Sequence, residues 1–111
     1  MQRIPAILLP YEGRLIIADF NEIICCKADK GWLWIRLKDG KKLAVPSVMG
    51  RMQEILPAPP FFLCHDAYLV NLCHARSIGR EDDNAFVALD GENIPVSVEK
   101  REKMIRIFYR I

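Results

Sequence analysis

The stretch FFLCHDAYLVNL, from Phe61 to Leu72, is the part of the sequence that decides the fold. Its second half, Ala67–Asn71, combines an aromatic side chain with aliphatic ones, which is typical of a β-strand. The run Pro57-Ala58-Pro59-Pro60 precedes it and ends any helix there, because proline lacks an amide hydrogen and restricts the residue before it. We therefore predict a break in the chain followed by a strand at Ala67–Asn71.

Alternating apolar and polar residues, separated by turn residues, fill the first half of the chain. They predict strands at Ile4–Leu9, Arg14–Ala18, Glu22–Ala28, Gly31–Leu37 and Lys41–Val45. In the fourth of these strands the side chains of Trp32, Trp34, Arg36 and Lys38 share one face, which is either exposed or an interface.

The loop between the fourth and fifth strands fixes their register. A three-residue loop, Lys38–Gly40, with Gly40 left-handed pairs Ile35 with Leu43 and Leu33 with Val45. A two-residue loop would mix polar and apolar side chains on one face, so we predict the longer loop.

Further strands are predicted at Arg76–Ile78, Ala85–Leu89 and Asn93–Val96, the last at a sheet edge because Pro95 cannot donate to a neighbouring strand. Serines that can cap helices precede two apolar stripes at helical spacing. Ser47 precedes the stripe Val48, Met52, Ile55 and Leu56, and Ser97 precedes the stripe Met104, Ile105 and Phe108. The fold class is thus mainly β with short flanking helices, including one at the C-terminus.

Length and composition indicate a folded protein. The chain has 111 residues, of which 51% are hydrophobic and 27% charged, so we expect one domain, residues 1–111. No apolar run reaches the roughly 20 residues of a membrane span, and the start lacks the order of a signal peptide, which predicts a cytoplasmic protein without membrane contact.

The charge pattern offers nucleic acid only a local attraction. The net charge is +2, which is weak for a DNA-binding domain. From Lys27 to Arg51, however, seven basic residues stand against two acidic ones, a local charge of +5.

The cysteines and histidines do not have the spacing of a metal site or a catalytic centre. Consecutive side chains diverge, so Cys64-His65-Asp66 cannot act as a catalytic triad, and Cys25-Cys26 cannot form a disulfide. Without a C-x-x-C pair we expect no zinc, no cofactor and no enzyme activity. The cysteines are interpreted as buried thiols, with a redox-sensitive Cys64 as a second hypothesis.

The stretch Phe61–Leu72 resembles the signature of the LytTR family. That signature has an aromatic, a basic residue, a histidine, a basic or amide residue, a serine, an aromatic and then Val-Asn. Ile94-Pro95-Val96-Ser97 resembles the family's second signature, and agreement in order and spacing covers about Leu15 to Phe108.

The resemblance implies an elongated stack of β-sheets, a β-β-β sandwich, that binds double-stranded DNA and regulates transcription. It implies loops that enter successive major grooves, often as two copies of the domain on a repeated site. The implied contacts come from the loop around Lys30–Trp32, the region of His65 and Asp66, and the start of the last helix. The candidate DNA-binding residues are Lys30, Trp32, His65, Asp66, Glu99, Lys100 and Arg101.

The sequence departs from the family pattern at the contact positions. Leu63 stands where the family has a basic residue, Asp66 where it has arginine or asparagine, and Ala67 where it has serine. Val98-Glu99 also stands where the family has basic residues.

Two alternatives follow from these departures. In the first, the domain still binds DNA, and Asp66 or Glu99 accepts a hydrogen bond from a cytosine amino group. In the second, the module has lost DNA binding and binds protein through the face of Trp32 and Trp34. Those tryptophans could also be covered by the proline-rich segment. His65 and Asn71 each have a structural interpretation as well. His65 would be hydrogen-bonded beneath the binding edge, and Asn71 would satisfy backbone groups at the end of a strand.

Overall fold

The structure, a computed structural model, describes residues 1–111. Its strands are β1 (Ala6–Tyr11), β2 (Arg14–Asp19), β3 (Ile23–Asp29), β4 (Trp32–Leu37), β5 (Lys42–Val45), β6 (Phe61–His65), β7 (Tyr68–Asn71), β8 (Ala75–Glu81), β9 (Asn84–Leu89) and β10 (Glu92–Val96). Its α-helices are α1 (Met49–Ile55) and α2 (Val98–Ile105), and 3-10 turns lie at Phe20–Glu22 and Leu72–His74.

The strands form three antiparallel sheets, and the largest one is central. This middle sheet has the order β5-β4-β3-β7-β6, while the flanking sheets are the hairpin β1-β2 and the three-stranded β10-β9-β8. The molecule measures 44 × 32 × 24 Å. The predicted elongated β-sandwich of stacked sheets is confirmed.

Both faces of the middle sheet pack against other elements, because neighbouring residues such as Cys25 and Cys26 are both apolar and point to opposite faces. The inner face packs against β1-β2 and α1 around Cys26, Leu33, Ile35 and Met52. The outer face packs in part against β8-β10 and α2. Its core is formed by Cys25, Cys64, Val70, Val87, Ile94 and Met104.

The predicted register between the fourth and fifth strands is confirmed. Leu33 lies opposite Val45 and Ile35 opposite Leu43, and all four are buried. Gly40 is left-handed, with φ +91°, which a residue with a Cβ atom rarely adopts. The edge position of Pro95 is also confirmed, because β10 ends its sheet.

The predictions for both helices are wrong in part, and one strand was missed. The N-cap position of helix α1 is Val48 rather than Ser47, and no side chain caps the helix there. Val48 is 67% exposed, although it was predicted to face the core. Helix α2 ends at Ile105, so Phe108 lies beyond it and is 42% exposed. The strand β6 was not predicted, since Phe61–His65 has no clean alternation; its Leu63–His65 segment is a bulge against β7.

No helix of the chain has the length and apolar character that crossing a membrane requires.

The C-terminal helix does begin after Ser97 as predicted, but the Ser97 hydroxyl makes no capping hydrogen bond.

Asn71 joins β7 to β3 and to the turn that follows, as its structural interpretation predicts. Its side-chain amide donates to the carbonyl of Ile23 at 3.0 Å and its carbonyl accepts from the amide of Cys73 at 3.0 Å. The side chain is buried, with 1% exposed. Asn71 therefore satisfies the buried carbonyl of Ile23 and the partly buried amide of Cys73.

We expect the substitution Asn71→Ala to lower the free energy of unfolding by about 2–4 kcal/mol, because it leaves the buried carbonyl of Ile23 and the partly buried amide of Cys73 unpaired. Urea unfolding followed by circular dichroism measures the change. Asn93→Ala, at an exposed position of β10, is the matched control and should stay within about 0.5 kcal/mol of the native chain. Equal losses in the two variants would contradict the role given to Asn71.

Candidate nucleic-acid interface

The first predicted contact segment is the tip of the β3-β4 hairpin. Asp29 and Trp32 are paired, so Lys30 and Gly31 form a two-residue turn with φ +50° and +84°. Positive φ at both positions is the type I′ geometry, which matches the twist of the strands. Lys30 is fully at the surface, and Trp32 beside it is 47% exposed.

The second segment, the β6-β7 turn, lies beside the first. The amide of Ala28 donates to the carbonyl of Ala67 at 2.9 Å, which continues the pairing of β3 with β7 up to the turn. Asp66 is exposed. The turns that carry Lys30 and Asp66 are therefore at the same end of the middle sheet.

His65 shapes this second turn. Its Nδ1 accepts a hydrogen bond from the amide of Ala67 at 3.2 Å, and its ring meets Tyr68 edge-on with the centroids 5.8 Å apart. The ring is half-buried. These contacts agree with the structural interpretation of His65 as a hydrogen-bonded residue, and the structure adds that its partner is the backbone of the turn.

The third segment, the start of α2, is tied to β6. The amide of Ser97 donates to the carbonyl of Cys64 at 2.9 Å, and the Cys64 thiol lies 3.5 Å from the carbonyl of Pro95. Glu99 is exposed, while Lys100 is half-buried. The helix therefore begins next to His65 and Asp66.

The guanidinium of Arg101 is held on the helix. Its Nη1 donates to Glu102 at 3.3 Å, and its Nε is buried without a hydrogen-bond partner. Of the candidate residues it is therefore the least available to a ligand in this conformation.

The three predicted segments thus meet at one end of the molecule, but without an excess of positive charge. Lys30, Lys100 and Arg101 stand there against the carboxylates of Asp29, Asp66 and Glu99.

The basic run from Lys27 to Arg51 does not collect at this end. Lys38 and Lys41 lie at the opposite end of β4, where Lys41 is paired with Asp39 at 3.7 Å. Arg36 pairs with Glu92 at 3.0 Å and Arg51 with Glu54 at 3.0 Å. The local charge of +5 read along the sequence is therefore divided among separate surfaces.

The tryptophans of β4 project from the outer face of the middle sheet. Trp32 is 47% and Trp34 45% exposed. The proline-rich segment does not cover them, because it runs beside β6, where the carbonyl of Pro57 accepts from the amide of Phe61 at 3.0 Å. The hypothesis that prolines cover the tryptophans is wrong.

Lys27 was missed as a surface residue of interest. It lies between Trp34 and Tyr68 in the register, and its ammonium is 5.7 Å from the centroid of the Tyr68 ring. The alternation of β3 already puts Lys27 on the same face as Cys25 and Asp29, so the signal was in the sequence. What was missing was the pairing of β3 with β7.

Three of the four cysteines are buried, and Cys73 is exposed. Burial is the main cause that raises the pKa of the Cys25 thiol to about 11 and that of Cys64 to about 12. Burial also raises the pKa of Cys26. Since the thiolate is the reactive form, the buried environment of Cys64 opposes the redox hypothesis.

We expect one fast-reacting thiol per native chain in a titration with a disulfide reagent at neutral pH, because only Cys73 is accessible. Cys73→Ser should abolish the fast phase, and urea should release the other thiols. A fast phase that survives in Cys73→Ser but disappears in Cys64→Ser would show that Cys64 is reactive in the folded protein.

Comparison with known proteins agrees with this architecture. The LytTR family, described as the LytTr DNA-binding domain, matches residues 13–108. The fold is similar to that of a solved Bacillus cereus domain, described as the LytTr DNA-binding domain of a methyl-accepting/DNA response regulator. The TM-score is 0.80 with 17% sequence identity, over 93% of this chain and 95% of that one. No curated protein sequence matches the chain.

Proposed function

The chain belongs to the LytTR DNA-binding domain family, and from this premise we propose that it is a non-enzymatic transcription regulator that recognises a specific sequence of double-stranded DNA. We further propose that residues 1–111 act as one binding domain. The end that carries Lys30, Asp66 and Glu99 faces the DNA, and its loops enter successive major grooves. Two copies bind a repeated site.

The observation that carries this proposal is the convergence of three separate chain segments on one end of the middle sheet. Two backbone hydrogen bonds, Ala28 to Ala67 and Ser97 to Cys64, hold those segments in register. A rigid set of projections suits the reading of base edges, because direct readout needs side chains fixed relative to the groove.

The charges at this end suggest a division of work. Lys30 and Lys100 contact phosphates, which fix the position of the protein on the duplex without carrying sequence information. Asp66 and Glu99 are exposed acceptors and suit the cytosine N4 amino group. With few phosphate contacts, binding should depend less steeply on salt than that of strongly basic domains.

A second candidate function is a protein-binding module that no longer uses DNA. The equal number of acidic and basic residues at the contact end favours it, as do the half-exposed Trp32 and Trp34 on the neighbouring face. Exposed aromatic side chains are common anchors of protein interfaces.

Selection from a pool of randomised duplexes separates the two candidates. We expect a single enriched motif, containing a C·G pair at a fixed position, when the selection is run at about 50 mM salt, where electrostatic binding is strongest. Absence of enrichment under these conditions would overturn the DNA-binding proposal and favour the protein-binding module.

Substitution of Lys30 tests which end faces the DNA. On the selected duplex, Lys30→Gln should make the negative slope of log K against log salt shallower by about one unit, because one phosphate contact is lost. Lys38→Gln removes the same charge at the opposite end of β4 and should leave the slope unchanged. A larger effect of Lys38→Gln than of Lys30→Gln would mean that the DNA binds at the opposite end of β4, and would contradict the proposal.

A further inference from the structure

The outer face of the middle sheet is covered only in part. The sheet β8-β10 packs over β6, β7 and the start of β3, and it leaves the β4-β5 side open. Where the cover stops, a groove of about 390 Å³ remains, lined by Lys27, Trp34, Arg36, Lys42, Tyr68 and Glu92. This volume lies within the range of small-molecule sites, roughly 300–1,000 Å³.

The floor of the groove is a row of side chains set by strand pairing. Ala44, Trp34, Lys27 and Tyr68 follow one another across β5, β4, β3 and β7. Trp34 lies opposite the small residue Ala44 and is 45% exposed. The row therefore offers an accessible aromatic surface with an ammonium group beside it.

One charged pair in the groove is already satisfied. Arg36 is bonded to Glu92 at 3.0 Å, and its second terminal nitrogen donates to the carbonyl of Asp90. The Asp90 carboxylate in turn accepts hydrogen bonds from Nε and Nη2 of Arg76, at 2.9 and 3.1 Å. This wall of the groove is fixed and has little net charge.

The other charges give the groove a direction. Lys27 and Lys42 take part in none of the ion pairs of the chain. Asp29 also lines the groove, but it is opposite Trp32 near the hairpin tip, whereas Lys42 is opposite Arg36 toward the other end of β4. The positive charge is therefore concentrated at the Lys42 end, next to the ring of Trp34.

We propose that this groove is a binding site for a small planar aromatic anion, whose ring lies against Trp34 and whose acidic group is held by Lys42. A cation is disfavoured by the two free lysines. A DNA duplex is too wide to enter a groove of this size. The groove adjoins the proposed DNA-binding end only at Asp29, whereas Lys42 lies toward the other end of β4, so the proposal does not depend on DNA binding.

The two tryptophans provide a direct test, with 2-naphthoate as the probe. The chain has two Trp residues, so it gives two indole N–H signals in a ¹H–¹⁵N spectrum, which Trp34→Phe assigns. We expect the Trp34 signal to shift saturably while that of Trp32 stays in place. From the usual free energy per ligand atom, the Kd should be on the order of 1 mM.

Neutral 2-naphthylmethanol separates recognition of charge from adhesion to an apolar surface. It should bind at least about fivefold more weakly, because it has no negative charge to pair with a lysine ammonium group. Equal binding of the two compounds, equal shifts of the two indole signals, or no shift at about 10 mM, ten times the expected Kd, would each overturn the proposal.

Two neighbouring lysines form a matched pair of variants. Lys42→Gln should weaken 2-naphthoate binding roughly tenfold, the usual size of a hydrogen bond to a charged group. Lys41→Gln removes the same charge from a residue outside the groove and should leave the Kd unchanged. Both residues are exposed, so both variants should fold. Equal weakening would mean general attraction by net charge and would contradict a built site.

Discussion

The structure depends on one central strand, β3, whose first half, Ile23 to Cys26, is buried on both faces. Cys25 and Cys26 are neighbours in the sequence, yet they lie in different cores on opposite sides of the middle sheet. Because strand side chains alternate, a shift of β3 by one residue would exchange the two sets and bring Lys27 into the inner core. The register of β3 is therefore strongly constrained, and both flanking sheets rely on it.

The same constraint organises the contact end. β3 pairs with β4 on one side and with β7 on the other, so the hairpin tip at Lys30 and the turn at Asp66 have to end side by side. The start of α2 joins them because β6, the neighbour of β7, binds the amide of Ser97. The groove beside Trp34 has the same origin, since the outer sheet covers β7 and β6 but not β4 and β5.

Local patterns in the sequence were sufficient wherever one face of an element decides its position. The Lys38–Gly40 loop, the edge position of Pro95 and the backbone contacts of Asn71 all follow from such arguments, and the structure confirms them. Strand β6 was missed because its bulge breaks the alternation. The stripe through Phe108 failed because helix α2 ends three residues before it.

What could not be predicted from residue patterns alone was the arrangement of distant segments. The resemblance to LytTR proteins led us to expect three contact segments on one edge, and the fold brings those segments together. The charge of the basic run was misleading because the fold separates residues that are close in the sequence. Lys30 and Lys38 lie at opposite ends of β4, so the charge summed along the chain says little about the charge of any one surface.

The central claim is that this shared end of β3, β7 and α2 meets the DNA. Backbone amide signals followed during titration with a selected duplex test it most directly. We expect the amide signals of Lys30, Ala67 and Glu99 to shift together, while those of Asp39 and Asp83 remain in place. Shifts confined to Asp39 and the neighbouring β4-β5 turn, with none at the shared end, would contradict it.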